Sequence, residues 1–275
     1  RVDVVDVAIT DRLAQDPRGE GRLVTASPRV IAGWQPADAW HLSLAYGRGF
    51  RPPEARAFSS HEPARVGLGT PSANRPTMVV SDSAELGARW APDPIFEAGI
   101  TAFATYIEKE TLFDHVSGIN ATLSGTRRAG AEVVVTSKPK PWLELSADLT
   151  AVDARFTGSG ERVPLAPWLV SGLRATAFRE DGIRAGLRVL TVAPRPLPHG
   201  ATGATLVMTD MTLGYHRRQW RLDLEVENVL NRQNREGEYH FASHWAPDEP
   251  ASQVPTLHTT AGAPLNARLT MTALF

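Results

Sequence analysis

Apolar and polar residues alternate along much of this chain with a period of two. Five runs show the alternation clearly: Trp40–Tyr46, Phe96–Tyr106, Leu143–Thr150, Ile183–Val189 and Trp220–Val226. A β-strand shows its two faces at this period, and helical periodicity is almost absent here. Weaker runs lie near 1–8, 27–35, 83–91, 129–138, 167–178 and 205–217, and the final residues, Arg268–Phe275, alternate as well. The pattern therefore predicts an all-β fold of about 12 strands.

The connections predict an up-and-down order for these strands. Short turns containing Pro, Asp, Gly or Arg lie at 35–38, 91–94, 138–141, 179–182 and 217–219. Long polar connections lie near 9–26, 49–82, 108–128, 152–166, 192–204 and 229–265. Short and long connections alternate throughout, which is typical of an antiparallel transmembrane β-barrel. A soluble β-sandwich remains an alternative, because it too has one apolar and one polar face, although its connections mix lengths at both ends.

Aromatic residues border the short turns. Trp34 and Trp40 flank the first short turn, and Trp90 and Phe96 flank the second. Trp142, Phe178 and Trp220 border the other three, and we expect Phe275 at the same level. Such rings favour a membrane interface, so the pattern predicts an aromatic belt at the short-turn rim. Many apolar positions between the rims are Ala, which favours a lipid-facing surface over a sandwich core.

Composition excludes several function classes. The chain has 275 residues, a net charge of −1 and no Cys. No basic excess indicates nucleic acid as a partner, and no run of about 18 or more apolar residues predicts a transmembrane helix. No phosphate loop, Ser-His-Asp arrangement or metalloprotease motif is present, so we expect no enzyme, no catalytic residue and no cofactor. The chain opens on Arg1, so we expect that an export signal has been removed or that an upstream part is missing.

Three groups of polar residues are candidates for chemistry. Asp210 and His216 share one face of a strand, and we interpret them as polar residues of the barrel lumen. His240, His244 and His258 share the last long connection with Glu238, Asp248 and Glu249, so a contact with a metal or metal chelate is an alternative to solvated loop residues. The predicted lumen also carries opposite charges: Arg89, Arg184, Arg188 and Arg221, and Glu85, Glu97, Glu132, Asp223 and Glu225. We expect these to pair across strands and pack against a plug, with a lining for an anionic ligand as the alternative. The residues therefore predict neither a resident metal site nor an identifiable ligand-binding set.

Four segments, in order, resemble TonB-dependent outer-membrane receptors. Leu42–Glu54 contains Gly49-Phe-Arg-Pro-Pro53, which resembles the family's strand that rises into a large extracellular loop. Ser83–Trp90 resembles the next strand with its Glu-Leu-Gly core, and Glu225–Asn231 resembles the penultimate strand, which ends in Asn-x-x-Asn. Arg268–Phe275 resembles the closing strand. The resemblance covers most of the chain.

The resemblance implies a fold, a function and a location. These transporters are 22-stranded barrels with a plugged lumen, so residues 1–275 would be the carboxyl-terminal portion of the barrel. About 150 residues of plug, together with the first strands, would lie upstream. The function implied is energy-dependent uptake of a scarce siderophore, metal chelate or vitamin across the bacterial outer membrane. The partners would be lipid, the ligand and the TonB complex acting through the plug. A passive porin or a structural barrel is the alternative function.

Overall fold

The computed structural model consists almost entirely of antiparallel β-strands. It describes residues 2–9, 19–51, 79–114, 119–179, 182–243 and 254–273, with the single residues 248, 250 and 252. The strands are β1 Val2–Ile9, β2 Gly19–Ala26, β3 Arg29–Ala37, β4 Trp40–Arg51, β5 Val79–Asp93, β6 Phe96–Asp114, β7 Ile119–Lys140, β8 Leu143–Phe156, β9 Leu169–Phe178, β10 Gly182–Val192, β11 Leu206–Arg217, β12 Trp220–Glu227, β13 Arg235–Phe241, β14 Thr256–Ala261 and β15 Asn266–Ala273. Across these ranges, no helix is long and apolar enough to cross a membrane.

One sheet of eleven strands contains the main part of the fold. Its order is β3 to β12 in sequence, followed by β15, so each strand pairs with its sequence neighbour except at the β12–β15 step. Two separate hairpins, β1–β2 and β13–β14, complete the described strands. The predicted antiparallel up-and-down order is therefore confirmed from β3 to β12. The structure departs from one continuous meander at β1, which pairs with β2 outside this sheet, and at the β13–β14 hairpin, which is inserted before the last strand. Among the strands that the structure describes, the eleven-stranded sheet has edges at β3 and β15 and does not close on itself.

Four of the five predicted short turns lie where the sequence predicts them, and residues 180–181 of the turn predicted at 179–182 lie outside the described residues. Residues 38–39, 94–95, 141–142 and 218–219 form turns, and all lie at one rim of the sheet because the strands are antiparallel. The second turn is stabilised by Asp93, whose Oδ1 accepts the backbone N–H groups of Ile95 at 2.8 Å and Phe96 at 2.9 Å. This Asp caps its own turn in the usual way.

Three of the predicted long connections contain long paired strand segments, beyond the short overlaps at their ends. The connection predicted at 108–128 is mostly a continuation of β6 and β7, which pair as far as Asp114 and Ile119. The segment predicted as a loop at 9–26 contains β2, which pairs with β1. The connection at 229–265 contains the β13–β14 hairpin. These strand portions lack the clear apolar alternation, for example at Lys109-Glu110-Thr111, so the period of two does not reveal them.

The two faces of the eleven-stranded sheet differ in chemistry. We call the face that carries Leu44, Ile100 and Leu149 the apolar face, and the face that carries Glu97 and Arg188 the polar face. The apolar face is uncovered: 56% of Leu44, 51% of Ile100 and 42% of Leu149 is exposed. Buried hydrophobic residues in the described part are few, namely Ala154, Phe156, Val163, Ala193 and Leu197. A sandwich would bury its apolar face in a common core, so this distribution favours a barrel sheet.

Aromatic rings mark the short-turn rim of the apolar face. Trp40 and Trp90 are paired across β4 and β5, with ring centroids 6.1 Å apart, and the Trp90 and Phe96 rings are 5.5 Å apart. Phe178 lies at the same rim but on the polar face, where its ring is 5.9 Å from the Arg184 guanidinium carbon. Phe275 lies outside the described residues. Ala273, two residues before it, pairs with Trp220, so β15 does run toward the short-turn rim.

Candidate functional site on the polar face

The register of the sheet places all the predicted lumen charges on the polar face. Directly paired residues share a face, and the pairs Arg188–Asp210, Glu132–Thr150 and Glu225–Arg268 show this. Arg89 donates to Glu97 from Nε at 2.6 Å and from Nη2 at 2.7 Å. Arg268 also forms an ion pair with Glu225. The expected charge pairing across strands is therefore present at these positions.

A pair of arginines near the middle of the polar face is not compensated in this way. Arg174 on β9 and Arg188 on β10 are directly opposite each other. Like charges in this arrangement repel, and neither residue forms an ion pair with another described residue. Asp210 is the cross-strand neighbour of Arg188, but its Oδ1 accepts the backbone N–H of Asn228 at 3.1 Å. The arginine pair, with Asp210 beside it, can therefore accept an anionic group.

Asp210 and His216 share the polar face, as predicted, but they are not partners. They are six residues apart on β11, which separates them by about 20 Å. His216 is paired through Nε2 with Asp223 Oδ1 on the neighbouring strand at 2.7 Å. The sequence did not reveal this contact, because it depends on the register of β11 and β12. The His216 side chain is largely buried at this position, with 11% exposed.

The two described loop histidines, His240 and His258, do not converge on a metal. His258 pairs with Tyr239, whereas His240 pairs with Leu257, so His240 and His258 occupy opposite faces of the β13–β14 hairpin. No group of three potential metal ligands is present among the described residues. His244 and Glu249 lie outside those residues, and Asp248 is described only as an exposed turn residue. A metal contact that involves His240 and His258 together is therefore excluded by the hairpin register.

Glu238 has a structural role that sequence reasoning missed. Its side chain is 1% exposed and accepts the backbone N–H of Ala204 at 2.9 Å, and Arg195 lies 3.8 Å away. A Cβ atom added at Gly203 would collide with the Glu238 carboxylate, so the backbone approaches closely at this glycine. These contacts attach the connection 193–205 to β13. No local sequence signal marks the pairing, because it joins residues 34 positions apart.

The Asn-x-x-Asn segment that resembles the family is a turn. Asn228 and Asn231 both have positive φ, at 50° and 47°, a conformation that Asn tolerates better than most residues. The Asn228 amide donates to the carbonyl oxygens of Arg232 and Ala263, both at 2.9 Å. Asn228 is 4% exposed and therefore fixes the end of β12 against the segment before β15.

Comparison with known proteins agrees with this architecture. The chain is similar in structure to the ferric-catecholate import receptor Fiu from K12 E. coli, with 17% identity, 93% of this chain and 35% of that chain covered, and a TM-score of 0.67. It is also similar to the ferric yersiniabactin uptake receptor FyuA from Yersinia pestis, with 17% identity, coverages of 94% and 39%, and a TM-score of 0.69. The siderophore receptor PiuA from Acinetobacter baumannii has 14% identity, coverages of 96% and 38%, and a TM-score of 0.68.

These likenesses show the fold, and the chain spans 35–39% of the length of the three receptors. No curated protein matches the chain in sequence. The family model described as TonB dependent receptor-like, beta-barrel, matches residues 1–229. Because that match covers most of the 275 residues, the chain belongs to the TonB-dependent receptor-like β-barrel family.

Proposed function

We propose that the chain is the carboxyl-terminal portion of the barrel of an outer-membrane receptor that takes up a scarce, anionic metal chelate. A plug supplied by the amino-terminal part of the full-length protein would fill the lumen, and the TonB complex would provide the energy. The family membership and the open sheet with one apolar face support this proposal. The names of the similar receptors refer to ferric-catecholate import, ferric yersiniabactin uptake and a siderophore receptor, and they support the ligand class.

The observation that carries the ligand class is the arginine pair on the polar face. In a barrel, Arg174 and Arg188 would face the lumen, where an anionic ligand passes or an acidic plug residue docks. Guanidinium groups suit either partner, because they bind carboxylates and other planar anions through two parallel hydrogen bonds. Mutual repulsion of the two side chains would then be relieved when the anion lies between them.

The test is uptake of a labelled ferric chelate by cells that express the full-length protein. We expect uptake to require TonB and the proton-motive force. Uptake that continues without TonB would instead indicate a passive pore, and absence of the protein from the outer membrane would contradict the proposed location.

The variant Arg174→Gln/Arg188→Gln tests the role of the arginine pair. Each lost charge-assisted bond costs about 1.5 kcal/mol, or about tenfold in affinity for the chelate. The matched control is Arg218→Gln, which removes a cation from an exposed short turn. If the arginine pair binds the ligand itself, the double variant should bind anionic chelates more weakly than the unaltered protein does and should bind a neutral chelate equally well. Equal loss for both chelates would indicate a contact with the plug. No loss for either would refute a role for the pair.

A further inference from the structure

The apolar face carries a row of arginines near its long-loop rim. Arg127 on β7 pairs directly with Arg155 on β8, and Arg155 forms a β-bridge with Arg162 in the following connection. Three cationic side chains therefore occupy successive cross-strand positions on one face. The same face continues across the neighbouring strands, where Tyr106 pairs with Arg127, Asp82 pairs with Tyr106, and Arg48 pairs with Asp82. Asp82 is already bound by Arg48 through two hydrogen bonds of 2.8 and 3.0 Å.

Two guanidinium groups share one carboxylate at the centre of this row, and a third lies beside it. Arg155 donates from Nε to Asp153 at 2.7 Å, and Arg162 lies 3.9 Å from the other Asp153 oxygen. Arg127 forms no ion pair with a described residue, but it lines the same surface hollow as Asp153. The Arg162 side chain is 51% exposed. Three arginines beside one aspartate give the row an excess of positive charge. Cross-strand cations repel one another unless an anion lies between them.

The position of the row corresponds to the outer lipid interface of the proposed barrel. Below it on β8, the residues of the apolar face from Leu143 to Ala151 are all Leu or Ala. Eight steps of about 3.4 Å, on a strand tilted by about 40°, span about 21 Å of membrane depth. This is close to the apolar band of about 25 Å expected for such barrels. The row therefore lies just beyond the band, on the side opposite to the aromatic rim.

A shallow hollow beside the row has an apolar floor. It is lined by Ala84, Ala104 and Ala129 below, and by Tyr106, Arg127 and Asp153 at the charged end. The small Ala side chains leave room for a hydrocarbon chain against the sheet. Arg127 lies where the polar end of the same molecule would be, and Arg155 and Arg162 follow it along the row. An amphipathic molecule with an anionic head matches this combination of surfaces.

We propose that the surface formed by Arg127, Arg155 and Arg162 binds the phosphate group of a phosphorylated lipid in the outer leaflet. Guanidinium groups bind phosphate oxygens through paired hydrogen bonds. Three of them beside the Asp153 carboxylate leave a net charge of about +2, which matches the charge of about −2 on a phosphate monoester. The lipid's acyl chain would lie over the Ala-lined hollow. This inference rests on the proposed location in the outer membrane, and it is independent of the transported ligand.

The test uses full-length protein in detergent micelles, with bound lipid counted by native mass spectrometry. The probe is a diglucosamine lipid that carries two phosphate monoesters, and the comparison is the same lipid after phosphatase treatment. The variant is Arg127→Gln/Arg162→Gln, which keeps Arg155 and its hydrogen bond to the Gly160 carbonyl oxygen. The matched control is Arg217→Gln/Arg218→Gln, with the same loss of charge at the opposite rim.

We expect about 30-fold weaker binding of the phosphorylated lipid by the variant, from the usual contribution of two arginines near an anionic headgroup. The control variant should bind the phosphorylated lipid as tightly as the unaltered protein does. The unaltered protein should bind the dephosphorylated lipid about as weakly as the Arg127→Gln/Arg162→Gln variant binds the phosphorylated lipid. Equal affinity of variant and unaltered protein, or of the two lipids, would overturn the inference. If the double variant does not fold, Arg127→Gln alone should weaken binding about fivefold, and unchanged affinity would refute the role of Arg127.

Chelate uptake measured on the same variant separates this inference from the proposed function. Intact uptake with lost lipid binding supports both. If chelate uptake is intact and the variant binds the phosphorylated lipid as tightly as the unaltered protein does, only the proposed lipid-binding surface is contradicted. Phosphate-dependent lipid binding by a protein that transports no chelate contradicts only the proposed function.

Discussion

An arginine introduced on either face of β8 should show which face contacts lipid and which face lines the lumen. Leu149 lies on the apolar face, 42% exposed, two residues from the centre of the apolar stretch Leu143–Ala151. An arginine at the bilayer midplane of a barrel costs about 2–4 kcal/mol, and the cost decreases toward the interface. We therefore expect Leu149→Arg to lower the free energy of unfolding by about 2 kcal/mol.

The neighbouring residue provides a control at the same depth. Thr150 lies on the polar face and pairs directly with Glu132 of β7. An arginine introduced at position 150 would face this carboxylate, and such a cross-strand pair contributes about 0.2–1 kcal/mol of stabilisation. The two variants, Leu149→Arg and Thr150→Arg, therefore carry the same new side chain on adjacent residues, with opposite expected effects.

The assay is denaturant unfolding of full-length protein in lipid vesicles, followed by tryptophan fluorescence. The gel mobility of unheated samples reports whether each variant is folded. Equal destabilisation by both variants, or greater destabilisation by Thr150→Arg, would refute the assignment of the apolar face to lipid.

Two further predictions concern the long connections. Gly203→Ala should speed proteolysis of the 193–205 connection, because the new Cβ atom would collide with the Glu238 carboxylate, whereas Gly158→Ala meets only Ser124 at ordinary contact distance and should have no effect. Asn228→Ala should lower the unfolding free energy by about 1–3 kcal/mol, because buried groups lose their hydrogen-bond partners. The control Asn266→Ala removes only an exposed contact, and equal losses for the two Asn variants would contradict the argument.

The sequence predicted the strands wherever one face is apolar and the other polar. The run Leu143–Thr150 is such a case, and it lies within β8. The upper parts of β6 and β7 were assigned to a loop, because polar residues occupy both faces there and the period of two disappears. The β13–β14 hairpin was missed within a predicted long connection. Alternation therefore revealed the apolar band and underestimated how far the strands continue beyond it.

The candidate sites depend on register, which the period of two does not specify. Arg188 was recognised as a lumen residue, but its partner Arg174 lies in a weaker run and was not singled out. Their pairing depends on the length of the connection between β9 and β10. Similarly, the proximity of His216 and Asp223 follows from the β11–β12 turn. Sequence alone assigned faces correctly at these positions and did not identify neighbours.

The two rims of the apolar face carry different side chains, and this difference favours one orientation of the proposed barrel in the membrane. Trp40, Trp90 and Trp220 mark the short-turn rim, where uncharged rings with a polar edge suit an interface of ordinary phospholipid headgroups. The opposite rim presents Arg127, Arg155 and Arg162 beside one carboxylate, Asp153, so the row keeps an excess of positive charge. A membrane with identical leaflets would give no reason for this asymmetry. A leaflet rich in phosphate at the long-loop side would stabilise the arginine row and leave the aromatic rim toward the periplasm, which is the orientation that the proposed receptor requires.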